Sequence, residues 1–394
     1  MSTGHFGSER GAILVQTAVA SLVLVGFMSF VLDYGVYWVS RSQAQNTADS
    51  AALAGAISRA YDDFSDPPPM EGPVGMSATR LTETNLVWTA AGAPIISFAC
   101  PPDVAGGQCV RVAVYRNGEF GSTALPWFFG PILGAVGTHG VVASATAQVR
   151  IGNVTNCLRP WAIPDRWVEG RPPVDEFDKY VPAGGGAVLT PQDTYTPPDA
   201  VGPGTGWQWP ADIGTGITLT FEDPFGGTPI NTGDLFPLQL PGVNDYAQNI
   251  ASCNGQSVAV GDLVPLSVAA TAAMTDTGMS NLIASDPGAT WNAGLKHIDG
   301  SCAPACAAVS PRLVAIALYD VDQYQLNLAT GDWSACPGGT PCVRIVNMLG
   351  FFLDATVGVA AVSGYLTAYP GLVSTTAPTV STQSSFLKAV TLVR

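Results

Sequence analysis

Cysteine carries the clearest chemistry in this sequence. Cys100, Cys109, Cys157, Cys253, Cys302, Cys306, Cys336 and Cys342 make eight thiols. Three pairs lie close together in the chain, Cys100 with Cys109, Cys302 with Cys306 and Cys336 with Cys342, which suggests local disulfides and leaves Cys157 to join Cys253. Pro101, Pro102, Gly106 and Gly107 place a turn between the first two, so their Cα atoms can approach to bridging distance. Zinc is the rival use of such thiols, and no Cys-x-x-Cys pair or neighbouring histidine supports it.

The other reactive side chains are scarce or scattered. His297 and Asp299, in Lys296-His297-Ile298-Asp299, would be the natural pair for a Ser-His-Asp hydrolase, but no Gly-x-Ser-x-Gly elbow accompanies them. A solvated loop histidine is the better reading. Asp175, Glu176 and Asp178, and the pair Asp320 and Asp322, offer oxygen ligands for calcium, yet neither group has the order of an EF-hand loop. They read as turn carboxylates. Gly202-Pro203-Gly204-Thr205-Gly206 lacks the preceding strand and following helix of a phosphate loop and reads as a turn. Trp161, Trp167, Trp207, Trp209 and Trp291 offer aromatic surface for a carbohydrate or protein site, against core packing as the default for tryptophan in a β domain. The expectation is therefore a chain without catalytic residues, metal or cofactor.

The elements that hold these residues begin with a membrane segment. Residues 11–32, GAILVQTAVASLVLVGFMSFVL, carry no charge and are followed by Asp33 and by Tyr34, Tyr37 and Trp38. A helix rises about 1.5 Å per residue, so this run spans a hydrocarbon core and ends in an interfacial aromatic belt. A cleaved signal core is usually about 7 to 15 residues long, which favours an uncleaved anchor. All eight cysteines follow the helix, and an oxidising compartment on that side places residues 1–10 in the cytoplasm. Arg10 and Arg41 flank the segment and do not orient it by themselves.

Beyond the span the helical pattern continues over residues 37–59, with Ala44, Ala48, Ala51, Ala52 and Gly55 forming a thin face for close packing, against either the protein's own sheet or another subunit. Asp66-Pro67-Pro68-Pro69 ends it. Alternation over 95–100, 109–116 and 141–150 predicts three half-buried antiparallel strands. Between the last two lies the apolar stretch 124–136, punctuated by Pro126 and Pro131, which should cap the sheet or face membrane or partner. From Cys157 onward the composition shifts, and strands are expected at 217–221, 257–266, 313–320, 343–354 and 386–394. The 44 glycines and 31 prolines favour many turns and short strands. The fold class that follows is α+β: a transmembrane helix over 11–32, a pilin-like helix with a small antiparallel sheet over 33–154, and a mainly β extracytoplasmic domain over 155–394.

A formal charge of −14 with only 16 Lys and Arg leaves no basic stripe for nucleic acid, which is excluded as a partner.

Residues 9–56, with Arg10-Gly11 before the apolar span, Asp33-Tyr34-Gly35 after it and the run Gln45-Asn46-Thr47-Ala48-Asp49-Ser50-Ala51-Ala52-Leu53-Ala54, resemble the N-terminal signature of the TadE/TadG-like family of Tad (Flp) pilus assembly. Residues 160–167, 286–289, 310–312 and Val346-Asn347-x-x-Gly350-Phe351-Phe352 are similar to stretches of TadG-related envelope proteins. The resemblance implies a noncatalytic component of pilus assembly or envelope anchoring in the bacterial inner membrane, with other Tad or envelope proteins as partners and an oligomeric state it leaves open. An envelope adhesin or binding module on the same anchor is the alternative. Two departures bear on this. Processed prepilins carry Glu at the fifth residue after the cleaved glycine, where this chain has Gln16. Larger TadG proteins can hold a metal at Asp-x-Ser-x-Ser, to which Asp276-x-Gly278-x-Ser280 is only a partial match.

Overall fold

A computed structural model of the chain describes residues 8–104, 107–133, 139–172, 175–181, 185–225, 229–242, 245–307 and 309–393. The chain divides into two compact units. The first comprises residues up to Arg59, Ser65–Gln148 and Val390–Arg394; the second comprises Ala60–Phe64 and Val149–Ala389. The architecture is α+β, a long apolar helix followed by a domain built mostly of strands.

Helix α1 runs unbroken over Ser8–Tyr61. No proline interrupts this stretch, and the next prolines, at 67–69, stand where the chain has left the helix. Within the first unit, α1 is followed by α2 (Pro73–Thr84), a short helix with Pro73 at its first turn that the sequence pattern does not announce. Strands β1 (Ala93–Ser97) and β2 (Gln108–Arg116) then pair antiparallel, with Ile95 opposite Ala113. Val110, Val112 and Val114 of β2 are fully buried, because alternate residues of a strand face one side. Strand β3 (Val141–Ile151) adds to β2.

The second unit is organised around a sheet that closes on itself. Its strands are β4 (Leu158–Pro164), β5 (Gly216–Phe221), β6 (Asp234–Pro237), β7 (Leu263–Pro265), β8 (Leu313–Tyr319), β9 (Cys342–Gly358) and β10 (Ala361–Thr367). The hydrogen-bonded order is β7, β9, β8, β4, β6, β5, β10, and β10 pairs again with β9. Six strands therefore form a ring with no open edge, and β7 extends it outside. The ring is mixed: β8 runs parallel to β4 and β6 parallel to β5, while the other pairs are antiparallel. Every residue of β4 and all but the first of β8 are buried. Trp161, Tyr319, Phe351 and Leu219 meet in the core. Gly364 lets two strands approach: a Cβ there would stand 2.2 Å from the Phe352 carbonyl oxygen and 2.4 Å from the Phe351 ring.

Three expectations for this region change. The run 257–266 is two short strands, Val258–Ala259 and β7, separated by a turn at Gly261 with φ of 94°, a backbone conformation that favours glycine. The strand expected at 343–354 extends to Gly358, bulging where its register against β10 shifts after Leu353 and Thr356. Helices α3 (Tyr246–Ala251), α4 (Ala272–Ser285) and α5 (Val321–Thr330) also belong to this unit. Asp245, Thr271 and Asp320 cap them, each accepting a backbone N–H three residues on.

Candidate functional site

The first half of α1 is a surface that water would not tolerate. Ile13, Leu14, Val19, Leu22, Val23, Leu24, Phe27 and Met28 are each more than half exposed. At about 25 cal/mol per Å² of apolar surface, leaving such a stripe in water is strongly unfavourable, so a hydrocarbon solvent is its natural surrounding. Among the described residues, α1 is the one helix long and apolar enough to cross a membrane.

The character of the helix changes at Asp33. Asp33 is 7% exposed, and its carboxylate accepts three backbone N–H groups, from Phe128 at 2.9 Å, Phe129 at 3.2 Å and Gly130 at 2.8 Å. Charge-assisted bonds of this kind satisfy an anion that would otherwise be costly at the edge of a bilayer. Beyond it, Ala44, Ala48, Ala51 and Ala52 are fully buried, and Gly55 is buried with them. Their neighbours belong to the same unit. A Cβ on Gly55 would lie 2.8 Å from Val110 of β2 and 3.4 Å from the Ala78 side chain of α2. The thin face thus packs on the protein's own sheet and second helix. Gln45 and Gln43 add polar ties, to the Ser144 carbonyl and from the Trp88 amide respectively.

The structure joins the cysteines as Cys100–Cys109, Cys157–Cys253, Cys302–Cys306 and Cys336–Cys342, with Cα atoms 5.0, 4.5, 5.5 and 5.7 Å apart. None is left free. The first lies in the unit that holds the anchor and the other three in the second unit. Gly106, one of the turn residues between Cys100 and Cys109, lies outside the described residues.

The remaining candidates have structural partners. His297 Nε2 lies 2.6 Å from Asp299 Oδ1, and Asp299 also accepts from Asn292 at 2.7 Å, all on a small exposed hairpin. Asp178 comes near Glu169 and Asp193, with carboxylate oxygens within 4.8 Å of one another, whereas Asp175 and Glu176 are not in that group. Asp193 accepts the amides of Gly170 and Asp178, each at 2.8 Å, and Arg171 pairs with Asp178. Asp320 caps α5, and Asp322 pairs with Lys179. Asp276, Gly278 and Ser280 lie inside α4, where successive side chains diverge by about 100°; Asp276 accepts the Ala360 amide and Gly278 packs on Ile250. Trp161 and Trp207 are buried in the core, Trp167 and Trp209 pack against it, and Trp291 stacks on Tyr365.

Two buried polar networks escape a search for reactive spacing. Asp286 accepts from Ser301 at 2.7 Å and Ser310 at 2.6 Å, while Arg312 donates to the carbonyls of Asp286, Ala289 and Leu353 and lies over the Phe352 ring. Asp165 accepts the amides of Arg166 and Trp207 and faces the Tyr195 hydroxyl. Burial pushes its carboxyl up to about 6, against the pull of those hydrogen bonds. Both networks tie distant segments together, which is a structural duty.

A long helix, bare and apolar in its first half and packed in its second, followed by a disulfide-bearing domain built mostly of strands, fits a membrane-anchored protein; among the described residues α1 is the one candidate span. Residues 11–59 match the family described as putative Flp pilus-assembly TadE/G-like. The match covers the anchor and the packed half of α1, the same stretch that carries the N-terminal resemblance, and fits a membrane-anchored pilus-assembly component. Comparison with curated proteins and with solved structures gave no match.

Proposed function

We propose that this chain is a noncatalytic structural component of Tad (Flp) pilus assembly, or of its attachment to the envelope, held in the bacterial inner membrane by residues 11–32 with residues 1–10 in the cytoplasm. The observation that carries the reading is the continuity of α1: one family-matched helix presents exposed apolar residues up to Leu32 and buries small residues from Ala44 onward. The disulfides support a position of both units outside the cytoplasm. The anchor stays uncleaved, with Gln16 where processing expects an acid. Such a chain holds or docks an assembly at the membrane; its partners are other Tad or envelope proteins.

Protease shaving of spheroplasts tests the topology. Digestion should remove both units and leave a fragment containing residues 1–32 in the membrane; full protection of the chain would reverse the orientation. Site-specific photocrosslinking from exposed positions of the units in cells with an intact Tad system should capture pilus-assembly proteins, and their absence among the captured proteins would remove the pilus role.

A further inference from the structure

We propose that the segment Leu125–Gly130, held on Asp33, is a second membrane contact of the first unit, its aromatic side chains seated in the headgroup–acyl boundary of the leaflet from which α1 emerges. The proposal rests on reading residues 11–32 as the membrane span.

Depth is the first argument. Residues 11–32 extend about 33 Å as helix, enough for a hydrocarbon core of about 30 Å, so Asp33 stands at the boundary. The three hydrogen bonds from Phe128, Phe129 and Gly130 place the segment at that same level along the axis. Ser29, one turn inside the span, is 3% exposed although its helix neighbours Met28 and Phe30 are 62% and 58% exposed. Val25, one turn earlier on the same face, is 57% exposed, so Ser29 has more cover than the bare helix gives.

Chemistry is the second. Phe128 is 52% exposed and Phe129 partly exposed, while on α1 the aromatic row Phe30, Tyr34 and Trp38, stacked at its first contact and edge-on at its second, is at least half exposed. Aromatic side chains at the end of a span favour the boundary, where an apolar ring and a polar tip are both satisfied. The segment is also braced from within its unit. Leu125 N–H bonds the His139 carbonyl at 2.7 Å, the Trp127 ring lies 4.1 Å from that of His139, and Arg116 donates to the carbonyls of Thr123 and Ala124. Tyr37 of α1 also approaches His139, with ring centroids 5.7 Å apart. A braced, apolar segment pinned at the water edge of a span has lipid as its continuous neighbour.

The test uses the full chain in phosphatidylcholine vesicles doped with nitroxide lipids. With its own cysteines paired, the chain takes a single environment-sensitive dye at Phe128→Cys, and in separate preparations at Val23→Cys and at Ile57→Cys, which lies about 36 Å along α1 from Asp33. Shallow nitroxide should quench the dye at 128 at least twofold more than the dye at 57, and deep nitroxide should quench the dye at 23. Quenching at 23 with none at 128 beyond that at 57 overturns the proposal and leaves the anchor standing. No quenching at 23 removes the anchor itself and the proposal with it. Asp33→Ala should lower quenching at 128 to the level at 57 while that at 23 persists, with Asp33→Asn, which keeps one acceptor oxygen, in between. Unchanged quenching in both variants would show that Asp33 does not hold the segment.

Discussion

The two units solve the problem of apolar surface in opposite ways. In the second, the ring of strands turns Trp161, Tyr319, Phe351 and Leu219 inward until they are fully buried, and leaves no edge strand in the ring unpaired. In the first, α1 buries one half and leaves the other bare: Ala48 is 0% exposed and Leu22 is 75% exposed on the same unbroken helix. The ring makes its own solvent of side chains. The helix needs one supplied. Stability in the second unit should therefore respond to cross-links and buried polar groups, and stability in the first to lipid and to the width of side chains on the thin face.

The largest effect should come from the bridge with the longest loop. Cys157–Cys253 encloses a separation of 96 residues and Cys302–Cys306 one of 4. By loop-closure entropy, replacing the first pair with alanines should cost about 5 kcal/mol and the second about 2 kcal/mol. Denaturant unfolding of the purified chain in detergent measures both, and equal losses would show that chain entropy does not govern this unit. Next in size is Val23→Arg, which should cost about 3 kcal/mol of insertion free energy because a cation is placed near the middle of the span. Carbonate extraction should shift part of that variant out of the membrane fraction. Full retention would separate the bare half of α1 from the bilayer.

Buried carboxylates give the ring a pH signature. Asp165 has its carboxyl raised to about 6 by burial, above the value near 3.8 that it has when unfolded. The folded state then binds the proton more tightly, so this stability is full below about pH 4 and is lost as pH rises through about 6. A carboxyl moved from 3.8 to about 6 corresponds to about 3 kcal/mol. Chemical denaturation of wild type and Asp165→Asn between pH 4 and 7 should show a decline that is smaller in the variant, the remainder coming from Asp234, whose carboxyl burial also pushes up to about 6; parallel curves would mean that Asp165 titrates as it does in water.

How much of this was legible follows from which forces act locally. The span was readable because lipid demands an uninterrupted apolar run, and 11–32 has one. The strands at 109–116 and 313–320 were readable from alternation or a short apolar run bounded by turns, as were the three close cysteine spacings; the run expected at 95–100 is strand only to Ser97 and begins two residues earlier, at Ala93. The closed ring was not, because pairing β4 with β8 joins segments whose separation leaves no local mark, and the parallel pairing of β5 with β6 depends on the path of the connection between them. Helices α4 and α5 were missed for a related reason. Thr275, Thr277, Gly278 and Asn281 in α4, and Val321, Asp322, Tyr324 and Asn327 in α5, alternate weak helix formers with the Ala, Leu, Met and Gln between them, so the capping side chains of Thr271 and Asp320 with tertiary packing decide the outcome. Asp33 stood out as the first charge after the span, but its partners at 128–130 are nearly a hundred residues away, and only the folded chain brings them together.

The smallest expected effect sharpens the comparison most, because it sets the same substitution on both halves of one helix. Ala48→Leu adds three carbons on a fully buried position of the thin face, where Gly55, two turns on, leaves no room for even a Cβ beside Val110. Overpacking of this kind should cost about 1–3 kcal/mol. Ala18→Leu adds the same carbons to an exposed position of the bare half, where leucine is as compatible with hydrocarbon as alanine and is a nearly equal helix former. It should leave unfolding of the first unit unchanged and insertion undiminished. Thermal unfolding in detergent reads the first and flotation with vesicles the second. Equal losses from the two variants would mean that residues 11–32 pack against protein as tightly as the alanine face does, and the division of α1 between two solvents would fall.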